Sequence, residues 1–191
     1  MFQMIYDARQ ITLKNGKSAI LRSPDETDAA DLISYLQITA AETDFLQCYP
    51  EERNMSLEQE ETFLRNLMDD PNSVMILCRV DSKLAGNCNL NRFRFEKNRH
   101  RASIGVALFR EYWGLGIGTA MLTALIDVAK QQGIEQLELE VMGDNTRAIP
   151  LYEKMGFRIA ATHPNAYKRK DGVYVNAHIM IKSLSQNETS L

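Results

Sequence analysis

The residues with the clearest chemical potential lie between Ile104 and Phe157. An apolar run, Ile104-Gly105-Val106-Ala107-Leu108-Phe109, is followed closely by Trp113-Gly114-Leu115-Gly116-Ile117-Gly118, which opens a strongly periodic stretch. Strand, glycine-rich turn and helix in that order suit an anion. The glycines let backbone N–H groups approach a ligand, and the start of the helix adds positive potential. A pyrophosphate fits such a turn. Further on, Glu140, Asn145 and Tyr152 supply a carboxylate, an amide and a phenol.

Spacing separates the readings of the turn. A Walker loop ends in Gly-Lys-Ser/Thr, and Gly118 is followed directly by Thr119. A dinucleotide-binding turn needs G-x-G-x-x-G, and Gly114-x-Gly116 is followed by Gly118 rather than by glycine at 119. The glycine pattern left is that of a coenzyme A pyrophosphate loop.

The elements that must hold these groups can be read from caps and periodicity. Met121, Leu122, Leu125, Ile126 and Ala129 recur at helical spacing from Thr119 to Gln132, and Gly133 suits a left-handed helix end. Leu137, Leu139 and Val141 alternate with Glu138 and Glu140, as in a strand with one polar face. A short helix over about 147–155 ends at Gly156, and Pro150 inside it predicts a late or irregular first turn. Upstream, Asn15-Gly16 predicts a hairpin. Ser23-Pro24-Asp25-Glu26 and Ser56-Leu57-Glu58-Gln59 predict two capped helices, the second burying Phe63, Leu64 and Leu67. Strands are expected over 74–80, 84–93 and 102–109, and two more around Lys170-Asp171-Gly172. The class is mixed α/β without internal repeats.

Length and composition agree with one domain spanning residues 1–191, with residues after 184 frayed. Hydrophobic residues make up 45% and charged residues 25% of the chain, an ordinary globular balance. The net charge of −3 argues against a nucleic-acid binder relying on phosphate neutralisation. The basic, aromatic segment 91–101 reads instead as a solvated hairpin with Phe93 and Phe95 buried. Cys48, Cys78 and Cys88 are scattered, as are the three histidines, so neither disulfides nor a metal site is expected. With no apolar run of spanning length and no secretory leader pattern, the expected compartment is the cytoplasm, without a membrane partner.

Two signatures together resemble the GNAT N-acetyltransferase family over roughly residues 11–183. The first is the turn Trp113-Gly114-Leu115-Gly116-Ile117-Gly118, where Trp113 departs from the family's glutamine or arginine. The second is Asn145-Thr146-Arg147-Ala148-Ile149-Pro150-Leu151-Tyr152-Glu153-Lys154-Met155-Gly156-Phe157. The resemblance implies a central mixed sheet of six to seven strands flanked by about four helices, and an acetyl-coenzyme A core over about 102–157. It also implies acetyl transfer to a primary amine, on a protein N-terminus or lysine or on a small molecule, through a ternary complex without metal.

The same resemblance assigns roles. Val106, Ala107 and Leu108 would present main-chain groups to the donor, and Trp113, Gly114, Leu115, Gly116, Ile117, Gly118 and Thr119 would surround its pyrophosphate. Tyr152 would donate to the leaving thiolate, Glu140 would be the base, and Asn145 would position water or cofactor while capping the short helix. Glu42, Thr43, Phe45 and Tyr49, between the first two helices, would border the acceptor. A homodimer follows only by analogy. The competing reading is a coenzyme A-binding module without catalysis, since fold alone does not fix function.

Overall fold

A computed structural model describes residues 4–185. Most of the segment expected to fray, from residue 186 onward, lies outside those residues. Eight strands form one sheet: β1 (Arg9–Thr12), β2 (Ser18–Arg22), β3 (Ser73–Val80), β4 (Lys83–Arg92), β5 (Arg101–Leu108), β6 (Gln136–Met142), β7 (Arg158–Lys168) and β8 (Tyr174–Ser183). Their spatial order is β1-β2-β3-β4-β5-β6-β8-β7, and of the neighbouring pairs only β5 and β6 run parallel. The count exceeds the six to seven implied by the resemblance and equals that of the strands read from the residue pattern, the Asn15-Gly16 hairpin included, with β1, four residues long, at one edge.

The helices divide between the two faces. On one, α3 (Ile117–Gln131) and the short α4 (Ala148–Lys154) cover the larger core, in which Met121, Leu122 and Leu125 are fully buried against Ile76, Leu90 and Leu137. On the other, α1 (Ala29–Glu42) and α2 (Leu57–Asp69) close a smaller core around Leu32, Tyr35, Leu64 and Leu77. Alternation along β6 puts Leu137, Leu139 and Val141 in the α3 core, so Glu138 and Glu140 face the opposite side of the sheet.

Three local expectations change. Ser23 does not cap α1; its hydroxyl accepts from Tyr6 N–H, while Asp25 caps a 3₁₀ turn over Glu26–Asp28 and α1 begins at Ala29. The capping box at Ser56 and Gln59 forms, but α2 buries Glu60 and Leu64 and leaves Phe63 at 42% exposure, since Phe63 stands at the rim of an open groove with Met75 and Asn89. In segment 91–101, Phe93 lies half-buried under Arg101, whereas Phe95 is 80% exposed, because the chain leaves the strand at Arg92 and turns around Asn98.

Candidate active site

The site is built on an opening in the sheet. β5 and β6 pair at only three positions, Arg101, Ala102 and Ser103 against Gln136, Leu137 and Glu138, and no further pairs join them among the described residues. On its other side β5 stays paired with β4 through Leu108. Phe109 N–H donates to Ala85, so by antiparallel alternation the main-chain groups of Gly105 and Ala107 serve β4. Those of Ile104, Val106 and Leu108 then point toward β6, into the opening. Of the strand residues expected at the donor, Val106 turns both its N–H and its carbonyl there and Leu108 its N–H, its carbonyl being taken by the Trp113 indole, whereas Ala107 faces β4.

The glycine turn sits at the end of this opening. Gly114 and Gly116 have φ of 78° and 93°, the left-handed region that a Cβ disfavours. Lys14 N–H donates to the Leu115 carbonyl, tying the turn to the first hairpin. The first turn of α3 has neither a capping side chain nor an acid, so its leading N–H groups and the positive end of a 15-residue helix are open to an anion. At Gly118 the packing is tight: a Cβ there would stand 3.0 Å from the Leu151 side chain of α4, which would have to shift.

Trp113 braces the turn. Its indole N–H donates to the Leu108 carbonyl at 3.1 Å, and the guanidiniums of Arg147 and Arg110 lie 4.5 and 5.8 Å from its ring centre. Where the family pattern places glutamine or arginine, this chain thus gathers two cations around an aromatic ring. The Arg147 guanidinium also approaches within 3.8 Å of where a Cβ on Gly114 would stand. Arg147 and Lys14 lie beside the turn although sequence reasoning gave neither a role there; a lone cation outside a spacing pattern carries no signal.

In α4, Asn145 Oδ1 accepts from Ala148 N–H, so its capping role is visible. Pro150 is the third residue of the helix, where its missing N–H has no intrahelical acceptor to lose, and the late start that it predicted is observed. Tyr152 is buried, with its ring edge-on to Phe157 at 6.0 Å, and burial pushes its phenol up to about 12. It remains a proton donor through neutral pH.

Glu140 is exposed, but its carboxylate is not free. Its Oε1 accepts a hydrogen bond from the phenol of Tyr167 on β7. The α1–α2 connection meets the β7–β8 hairpin nearby: Gln47 donates to the Tyr167 oxygen at 3.3 Å, and Lys170 N–H donates to the Tyr49 hydroxyl at 3.0 Å. Of the residues expected to border the acceptor, Tyr49 lies at this junction. Glu42 accepts from Arg110 N–H and fastens the end of α1 to the segment before the glycine turn. The Thr43 hydroxyl accepts from Phe45 N–H within its own loop, with Phe45 half-buried. Tyr167 and Gln47 were not legible as partners, being 120 residues apart with no shared motif. Among the described residues no cluster of acidic, histidine or cysteine side chains could hold a metal ion.

The profile described as the acetyltransferase (GNAT) family matches residues 38–157. This chain belongs to that family, whose members are acyltransferases. An L-amino acid N-acetyltransferase of Escherichia coli K12 is 26% identical over 117 residues, covering 61% of this chain and 72% of that protein. The ribosomal protein bS18 alanine N-acetyltransferase of the same strain is 40% identical over 67 residues, 35% of this chain and 45% of its own length. A GNAT acetyltransferase structure from Streptococcus pneumoniae superposes with a TM-score of 0.83 at 27% identity, covering 87% of this chain and 99% of that one. The match to bS18 alanine N-acetyltransferase thus spans less than half of that enzyme.

Proposed function

We propose that this enzyme transfers the acetyl group of acetyl-coenzyme A directly to an α-amino group, of an amino acid or of a polypeptide N-terminus. The observation that carries the reading is the opening between β5 and β6, with the Val106 main chain and the Leu108 N–H along one wall and the glycine turn of α3 at its end. In it, the pantetheine lies along Val106 and Leu108 as an added strand would. The pyrophosphate rests on the amides of residues 114–119, with Arg147 and Lys14 adding charge.

Transfer needs an uncharged amine, support for the oxyanion and a proton for the leaving thiolate. Main-chain N–H groups of β5 meet the carbonyl oxygen, and Tyr152, protonated well above neutrality, donates to the thiolate. Glu140 takes the proton from the attacking amine. An α-amine, with a pKa of about 7.7–8.0, asks less of that base than a lysine at about 10.4. The L-amino acid and bS18 alanine activities of the two relatives support the same choice.

The test is thiol release from acetyl-coenzyme A with free L-amino acids, short peptides and N-acetylated lysine peptides as acceptors. Turnover is expected on α-amines and not on blocked peptides, slowed about 10²–10⁴-fold by Glu140→Gln and by Tyr152→Phe. Coenzyme A binding without turnover on every acceptor would overturn the reading. Rates unchanged by Glu140→Gln would remove the base.

A further inference from the structure

One side chain joins the proposed base to both loops of the acceptor side. Tyr167 lies near the end of β7, just before the hairpin tip, and its placement is irregular: the β7–β8 register shifts between His163 and Tyr167. Within that shift Asn165 takes φ of 52°, and its N–H donates to Asn176 Oδ1 at 2.9 Å. A bulge of this kind re-aims the residues that follow it. Here the Tyr167 phenol reaches Glu140 of β6, a strand with which β7 does not pair.

The hydrogen bonds around the phenol have a direction. An amide N–H can only donate, so Tyr167 oxygen accepts from Gln47 and commits its own proton to Glu140 Oε1. That leaves Oε2 of Glu140 to receive a proton from the acceptor. The hairpin is fastened over the α1–α2 connection beside this chain. Lys170 pairs with Glu51 and lies 4.2 Å over the Tyr49 ring, and Arg169 pairs with Asp144 at 2.7 Å.

We infer that Tyr167 is a positioning residue: its phenol holds the Glu140 carboxylate in one orientation and couples that orientation to the closed contact between the β7–β8 hairpin and the α1–α2 connection. The catalytic part of this inference rests on Glu140 being the base proposed above. The coupling itself does not. Burial, followed by the hydrogen bond and charge of Glu140, pushes the Tyr167 phenol up to about 12, in keeping with a proton held against a carboxylate.

Two measurements test it. In protein carrying [ζ-¹³C]tyrosine, the Tyr167 resonance is expected to remain in its protonated position to about pH 11 and, in Glu140→Gln, to titrate closer to the ordinary value of about 10. A Tyr167 resonance indifferent to Glu140→Gln would overturn the coupling whatever the acceptor proves to be. Turnover is then followed with an alanine-initiated hexapeptide. Tyr167→Phe is expected to lower kcat about tenfold, the scale of one hydrogen bond to a charged group, with coenzyme A affinity unchanged. In a Glu140→Gln background it should do nothing more, whereas multiplying effects would overturn the positioning role. If the resonance responds and Glu140→Gln leaves turnover intact, the coupling stands and the base assignment alone fails.

Discussion

The two faces of the sheet are held by different forces, and the active site inherits the difference. On the α3 face, the glycine turn stands on a helix whose residues Met121, Leu122 and Leu125 are fully buried, and main-chain geometry does the positioning. On the α1–α2 face, charge does much of the holding. Asp28, 1% exposed, accepts a bidentate pair of hydrogen bonds from Arg22 of β2 at 2.7 and 2.8 Å and another from Arg79 of β3 at 2.6 Å. Arg79 continues to Asp31 of α1 at 2.7 Å. The face proposed to take the donor is therefore expected to tolerate acid and salt better than the layer whose loops are proposed to border the acceptor.

The largest expected effect comes from breaking the charged layer at its centre. Asp28→Asn leaves two guanidiniums without their shared anion and should cost about 3–5 kcal/mol in denaturant unfolding. Burial alone would push the Asp28 carboxyl up, but the hydrogen bonds from Arg22, the Asp25 amide and Arg79 outweigh it and hold the carboxyl below the usual range. A carboxyl whose folded pKa is depressed contributes stability in full above its unfolded value, about 3.9, and loses it as pH falls through the folded value. Hydrogen exchange in acid should accordingly deprotect α1 and α2 before α3. Simultaneous loss on both faces would refute the contrast.

The next effect belongs to the donor side. Gly116→Val forces a β-branched residue to φ of 93° at the N-cap of α3 and sets its Cβ 3.6 Å from the Lys14 side chain, distorting the turn proposed to bind the pyrophosphate. A 10–100-fold rise in the Kd for coenzyme A, at roughly 1–3 kcal/mol, is expected by calorimetry, with the rest of the fold retained. Arg147→Ala should act more gently. It removes an exposed cation stacked on Trp113, so affinity for coenzyme A should fall a few-fold, and the loss should fade at high salt. A salt-independent loss would mean that Arg147 acts by bracing Trp113 rather than by its charge.

The same contrast explains what the sequence disclosed. The donor side is local: strand, turn and helix follow one another along the chain, the glycine turn is adjacent to its helix, and the period of α3 is uninterrupted, so chemistry and scaffold could be read together. Away from that segment legibility falls: α1 starts late because Ser23 accepts from Tyr6 rather than capping it, Phe63 stays exposed at the rim of a groove, and Phe95 leaves the sheet with the turn around Asn98. The acceptor side is assembled from contacts such as Gln47 with Tyr167 and Glu51 with Lys170, 120 and 119 residues apart. Nothing in the spacing of a single chain marks such pairs. Glu140 shows the boundary between the two kinds of information. Its strand and its face were legible from alternation, and its partner Tyr167 was not, because a bulge within β7 sets where that phenol points.

The smallest effect should come from the rim of the acceptor side, and its smallness is informative. Tyr49→Phe removes the hydroxyl that accepts from Lys170 N–H but keeps the ring beneath the Lys170 ammonium. The Lys170–Glu51 pair beside it is exposed, with side chains at 62% and 59%, and pairs of this kind hold little in water. Unfolding by denaturant should therefore be unchanged within error, and coenzyme A affinity likewise, since no group of the glycine turn is touched. What should move is local: faster amide exchange at residues 167–172 and a two- to threefold rise in the acceptor KM, on the scale of one weak exposed hydrogen bond. If Tyr49→Phe lowered global stability as much as a core substitution, the hairpin would be part of the folded core. The division between a packed donor side and a laced acceptor side would then have to be abandoned.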